Sequence, residues 1–176
     1  MEPRDHWRDA DWEGHWERPA PSEPSDEVQA IPKSNVRVIR PLMKAWSAFN
    51  VFIYRLSAGR LLGSFMGAPV CLVTMTGCKT GKIRTIPLIY LPHGEDVILV
   101  ASQGGLDTNP IWYRNLIANP DVQIQDRARK RILRARRASD EEKRDLWPHI
   151  LGIYKDFDAY QHRTARNIPV LICTPT

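Results

Sequence analysis

The chain has 176 residues, enough for one domain with one core, and its 43% hydrophobic and 26% charged content is ordinary for a globular protein. Its 25 Lys and Arg against 20 Asp and Glu give a net charge of +5, unevenly spread: residues 1–27 carry three arginines and nine acids, a local net of −6, which leaves +11 on the remainder. No apolar run approaches the roughly 18 residues of a membrane span, and the three cysteines, Cys71, Cys78 and Cys173, are too few for a disulfide framework.

A body that basic favours an anionic partner: a phosphorylated cofactor, nucleic acid or an anionic membrane surface. Neither the cysteines nor the five histidines show metal-ligand spacing, so no metal is expected. Free thiols and the lack of an apolar leader in Met1–Ala30 give a cytoplasmic expectation.

Residues 1–34 are acidic, Pro-rich and nearly free of aliphatics, the composition of a disordered tail, although Trp7, Trp12 and Trp16 offer docking groups. Its charge also suits it to shield the basic body. The domain is expected to occupy residues 35–176. Pro41 opens a helix to about Ser57, with Leu42, Met43, Trp46, Phe49, Val51, Phe52, Ile53 and Leu56 on a broad apolar face. Packing against a sheet is one fate for that face; with Lys44 and Arg55 beside it, peripheral contact with a membrane is the other. Gly59, Gly63 and Gly67 loosen the link that follows.

Val70–Thr76 and Ile83–Leu91 are rich in Val, Ile, Leu and Thr, and between them runs the basic tip Gly77-Cys78-Lys79-Thr80-Gly81-Lys82. This reads as a β-hairpin whose tip offers glycine-freed amides, the Thr80 hydroxyl and the charges of Lys79, Lys82 and Arg84 to an anion. The same tip also suits a merely soluble edge. It is not a phosphate-binding Walker loop: Gly77 to Gly81 is one residue short, and Ile83 stands where a magnesium-binding hydroxyl belongs.

Gly94 turns the chain into a strand at Val97–Ala101, which ends in the loop Ser102-Gln103-Gly104-Gly105. Pro110 starts a short helix through Ala118 that Asn119-Pro120 ends. Val122–Gln125 and Arg131–Arg136 read as strands, Ser139 and Glu142 as a capping box for a helix to Tyr154, and Ile168–Thr174 as a closing strand. The run Arg127–Arg137 holds seven basic residues without interleaved aromatics, which favours a solvated strand over a nucleic-acid groove. Short strands with helices at one end and between them imply a mainly β, α+β fold: a small barrel with helices packed around it.

Four motifs in order carry a resemblance: T-G-x-K-T-G-x-x-R from Thr76 to Arg84, V-A-S-x-G-G from Val100 to Gly105, N-P-x-W-Y-x-N-L-x-A-N-P from Asn109 to Pro120, and I-P-V-x-I-C from Ile168 to Cys173. The chain resembles the deazaflavin-dependent nitroreductase family, actinobacterial split β-barrel proteins of the FMN-binding-like kind that use coenzyme F420. The resemblance implies hydride transfer from reduced deazaflavin to an electron-poor acceptor, a quinone, an enone or a nitroaromatic; lipid contact by the helix at residues 41–57 would make a membrane quinone a natural acceptor. It implies that Cys78, Lys79, Thr80, Lys82 and Arg84 meet the cofactor's anionic tail. Thr74, Leu88 and Ala101 would line its ring, with Gln103 and Gly104 in the second loop and Asn109, Trp112, Tyr113 and Asn115 beside them. Tyr154, Phe157 and Tyr160 would cover the acceptor side, with Ser102, Tyr154 or Tyr160 orienting an acceptor oxygen or passing a proton. The chain departs from the family where Arg-Lys is replaced by Cys78-Lys79, where Ser-Lys-Gly-Gly is replaced by Ser102-Gln103-Gly104-Gly105, and where Phe157 replaces a tyrosine. The alternative is a split-barrel protein that holds FMN, haem or a fatty acid, or a carrier without redox activity. The oligomeric state is left open.

Overall fold

Antiparallel pairing around a closed ring gives the domain its form in the computed structural model, which describes residues 63–176 together with Val51, Ile53, Tyr54, Leu56, Ser57 and Gly59. The acidic tail and the start of the first helix lie outside the described residues. A two-residue strand β1 (Ser64–Phe65) precedes β2 (Ala68–Thr76), β3 (Ile83–His93) and β4 (Asp96–Val100). Helix α1 (Ile111–Ala118) leads to β5 (Asp121–Asp126) and β6 (Arg129–Arg137); α2 (Asp140–Ile153) and α3 (Asp156–His162) precede β7 (Val170–Pro175). The strand order is β1-β2-β3-β4-β7-β6-β5, and the β2–β5 pairing closes the six strands β2 to β7 into a barrel. This is the expected barrel with helices around it.

The alternation within each strand sorts the side chains into two cores. Cys71, Val73 and Met75 of β2, Val97 and Leu99 of β4, Leu133 of β6, and Leu171 and Cys173 of β7 fill the interior. Their neighbours Ile98, Val170 and Ile172 face outward and are covered by Leu146, Trp147 and Ile150 of α2 and Phe157 of α3. Each fully buried aliphatic contributes about 1.5–3 kcal/mol. Burial pushes the Cys71 thiol well above its usual range and that of Cys173 up to about 12, so both remain inert thiols.

The expected hairpin is present, Thr76 pairing with Ile83 across the six-residue tip. The capping box also forms: the Ser139 hydroxyl accepts from Glu142 N–H at 3.1 Å while Glu142 accepts from Ser139 N–H at 2.8 Å. Glu142 also takes a forked pair from Arg136 at 2.7 and 2.8 Å, which holds its carboxyl near pKa 2 and ties α2 to β6. Two expectations change. The end of the first helix turns Val51 and Tyr54 inward onto Val70 and Leu72, and Leu56, expected on the apolar face, is 75% exposed. Beyond the helix to Tyr154 lies a second helix, α3, seven residues long and without a side-chain cap.

Candidate functional site

Strand β3 carries the polarity of the site along one face. Its alternation puts Arg84, Ile86 and Leu88 on one side, opposite Met75, Val73 and Cys71, while Thr85, Pro87 and Ile89 take the other. Arg84 is exposed, whereas Ile86 and Leu88 are half-buried and pack on the barrel interior with Trp112 and Tyr113 of α1. Arg84 and Leu88 stand roughly 13 Å apart along the strand. The exposed Arg84 thus stands at one end of an apolar face of β3, and Ala101, fully buried, belongs to the same core.

The tip beside Arg84 is built differently from its expected form. Gly77 N–H donates to the Lys82 carbonyl at 2.9 Å, and Thr80 and Gly81 N–H both donate to the Gly77 carbonyl, at 3.3 and 2.8 Å. Cys78 N–H donates to Asn115 Oδ1 at 3.0 Å, and Lys82 N–H to the Thr80 hydroxyl at 3.4 Å. The amides expected to meet an anion are spent on the turn, because a six-residue link can close only by bonding itself. What the tip leaves exposed are the side chains of Lys79, Thr80, Lys82 and Arg84. Asn115, buried in α1, acts through the tip: its carbonyl oxygen sets the position of Cys78.

The structure does not bring the Thr74 side chain together with Leu88. It lies on the face opposite Leu88, its hydroxyl is 2.9 Å from that of Thr85, and its backbone is paired in ladders with both β3 and β5. The fixed period of two in a strand forces this separation.

The loop after β4 is tightly wound. Ser102 is right-handed at φ −68°, ψ −40°, and Gln103, Gly104 and Gly105 follow at φ +48°, +65° and +78°. A right-handed residue followed by a left-handed one turns successive N–H groups toward a common point, the geometry of an anion nest. Gly105 is required for another reason also: a Cβ there would come within 2.8 Å of the Tyr160 carbonyl oxygen and 3.1 Å of Tyr160 Cα, so the loop and α3 touch backbone to backbone. Ser102 is buried and its carbonyl is held by Arg166; Asn109 gives its side-chain oxygen to the same guanidinium.

Tyr154 and Tyr160, expected on the acceptor side, come together with hydroxyls 3.4 Å apart, and Tyr154 donates to Asp156 Oδ2 at 3.0 Å. Its proton committed to a carboxylate, Tyr154 accepts from Tyr160, which makes an ordered row of hydroxyls. Burial and these partners raise the Tyr154 pKa well above the usual tyrosine value, so it stays a neutral phenol. The ring of Phe65 approaches Tyr154, centroids 6.4 Å apart, at the exposed edge. Phe157 is brought together with both tyrosines: its ring packs edge-on against Tyr154 at 5.1 Å and Tyr160 at 6.2 Å between centroids, and it is buried where α2 and α3 meet the sheet.

Sequence reasoning missed Arg166, buried Lys143 and their partners Gln161 and Asn167, which bond across 5 to 65 positions of sequence. Only the closeness of Arg166 to the Ile168–Cys173 motif hinted at it. The basic run of β6 is largely occupied at the surface: Arg129 and Arg131 meet Glu95, Arg134 meets Asp121 and Arg136 meets Glu142. Among the described residues, no cluster of three His, Cys, Asp or Glu is arranged for a metal, and no helix is long and apolar enough to cross a membrane.

The chain is similar to known proteins over this same region. Rv3178 of Mycobacterium tuberculosis, named as an F420H(2)-dependent quinone reductase, is 44% identical over 107 residues, 61% of this chain and 90% of that protein. The F420H(2)-dependent quinone reductase Rv1261c of the same organism is 37% identical over 126 residues, 69% of this chain and 85% of that one. Among solved structures, the F420-H2 dependent reductase FDR-A superposes with a TM-score of 0.56 at 38% identity, over 60% of this chain and 93% of that one. A chain described as a domain-swapped dimer gives 0.58 at 31%, over 78% and 98%. Residues 46–175 match the family model described as F420H(2)-dependent quinone reductase, so the β3 face, tip and loops all fall within the match, and the chain belongs to that family.

Proposed function

We propose that this chain is an F420H(2)-dependent oxidoreductase whose electron-poor acceptor is a quinone. The observation that carries the reading is the face of β3 that passes from the exposed Arg84 to Ile86 and Leu88, which pack on the same core as Trp112 and Tyr113. A ligand with an anionic tail and a flat apolar head fits that face, and F420 has this form. When bound, the reduced deazaflavin supplies the hydride that the acceptor takes up.

The residues of the chain supply position and electrostatics. Lys79, Lys82, Arg84 and the Thr80 hydroxyl hold the phosphate and carboxylate tail. Leu88, Ala101, Trp112 and Tyr113 exclude water from the ring. The turn at Ser102, Gln103 and Gly104 presents backbone N–H groups at the polar edge of the site, and Asn109 and Asn115 hold the loop and the tip in place. Tyr160 and Tyr154, aligned by Asp156, give the acceptor oxygen a hydrogen-bond partner and a route for a proton after reduction.

Purified protein supplied with reduced F420 and a soluble naphthoquinone is expected to oxidise the cofactor catalytically, read as recovery of F420 absorbance. Turnover no faster than the protein-free mixture would contradict the proposal. A quinone dissolved in the membrane is the acceptor we favour, reached through the first helix, whose sequence flanks an apolar face with Lys44 and Arg55. Co-sedimentation with anionic vesicles is expected, and it should be lost in Lys44→Glu/Arg55→Glu; retention of binding by that variant would remove the membrane route.

A further inference from the structure

The loop from Ala101 to Asn109 combines features that do not hold together alone. Gln103, Gly104, Leu106, Asp107 and Thr108 are exposed, and three consecutive residues are left-handed, one of them not glycine. Such a backbone persists only where its surroundings fix it. Besides its own turn bonds, Gly105 N–H to the Ser102 carbonyl and Leu106 N–H to the Gln103 carbonyl, one guanidinium gathers most of it. Arg166 donates from Nε to the Leu106 carbonyl at 2.7 Å, from Nη1 to Asn109 Oδ1 at 2.8 Å, and from Nη2 to the carbonyls of Ala101 at 3.1 Å and Ser102 at 2.7 Å. These four acceptors are drawn from the start, the middle and the end of the loop.

Arg166 is itself held. Its carbonyl accepts from Gln161 Nε2 at 2.8 Å and its N–H donates to the Thr164 hydroxyl at 3.3 Å; that hydroxyl donates to Asp107 in the same loop. Because Gly105 also packs on the Tyr160 backbone, loop and α3 are locked together.

We infer that Arg166 is a positioning residue that fixes the Ala101–Asn109 loop in its cofactor-receiving shape and couples it to Tyr160 of α3. This rests on the proposed F420 site. The planar fork of arginine matters more than its charge, since a lysine ammonium reaches at most one or two of the four acceptors.

The test compares the unaltered full chain with Arg166→Lys and Arg166→Gln by hydrogen exchange without cofactor and by F420 titration. In Arg166→Lys, amides of residues 102–109 should exchange about tenfold faster while those of β2, β4 and β7 keep their rates. F420 affinity should fall by about tenfold or more although the charge is kept. Unchanged loop exchange overturns the inference, and so does faster exchange with unchanged affinity. An unaltered chain that binds no F420 overturns the cofactor reading and this inference with it, an outcome visible without any variant. Should Arg166→Lys not fold, Asn109→Ala removes one acceptor and keeps the guanidinium. Faster exchange at residues 102–106, beyond the substituted position, then supports the inference, and unchanged exchange there overturns it.

Discussion

Replacing Lys79 and Lys82 together with alanine is expected to weaken F420 binding about a hundredfold without altering the fold. A hydrogen bond to a charged group contributes about 1.5–3 kcal/mol, and at an exposed tip the lower figure applies, so two losses come to about 3 kcal/mol. The fold is spared because the tip closes through backbone bonds from Gly77, Thr80 and Gly81 and through Asn115, none of which uses either ammonium. The loss should shrink as salt is raised to about 0.5 M, where the unaltered tip is itself screened. Fluorescence titration at two ionic strengths checks both parts. Equal affinity of variant and unaltered chain at low salt would move the anion site away from the hairpin.

Stability should rise with pH from neutrality upward, and Lys143 is the cause. Its ammonium is buried in α2, 4.8 Å from the centre of the Trp147 ring, and donates to Gln161 Oε1 at 3.0 Å and to Asn167 Oδ1. Asp140 on the same helix favours the cation, whereas Arg137 of β6 and Arg166 oppose it, and burial outweighs all of these and brings the pKa down to about 7. An unfolded lysine titrates near about 10.4. Below pH 7 both states carry the proton; above it the folded chain has released a proton that the unfolded chain keeps, so folding gains stability until both are neutral. Between about pH 7 and pH 9 the gain should be about 2 kcal/mol, read from urea unfolding. Lys143→Met should flatten this slope. A slope unchanged in that variant would assign it to another group.

The parts of the fold that sequence revealed are those encoded over a few residues. Ser139 and Glu142 cap their helix through contacts three positions apart, Pro110 starts α1, and the alternating runs around Gly77–Lys82 fold back on each other. Barrel closure was legible only as a strand count, because β2 meets β5 some fifty positions downstream. Within the site, Lys79, Lys82 and Arg84 were readable as a cationic tip, but the fate of the tip amides depended on Asn115, 37 positions away. The separation of Thr74 from Leu88 was not legible because the face of each depends on the register set by the tip. Lys143 and Arg166 sit in stretches rich in charge that read as solvated surface, and only the folded chain brings their acceptors to them.

The most direct test of the account is a fluorescence titration of F420 into the unaltered chain, run beside Cys78→Arg/Gln103→Lys. Cys78 is half-buried at the tip and Gln103 is exposed, so both new cations can reach an anionic ligand without entering the core. Micromolar binding by the unaltered chain, tightened in the double variant, is the predicted result. No binding by the unaltered chain up to about 100 µM, with binding restored in the double variant, would contradict it and mean that the barrel has kept its form and exchanged its cofactor.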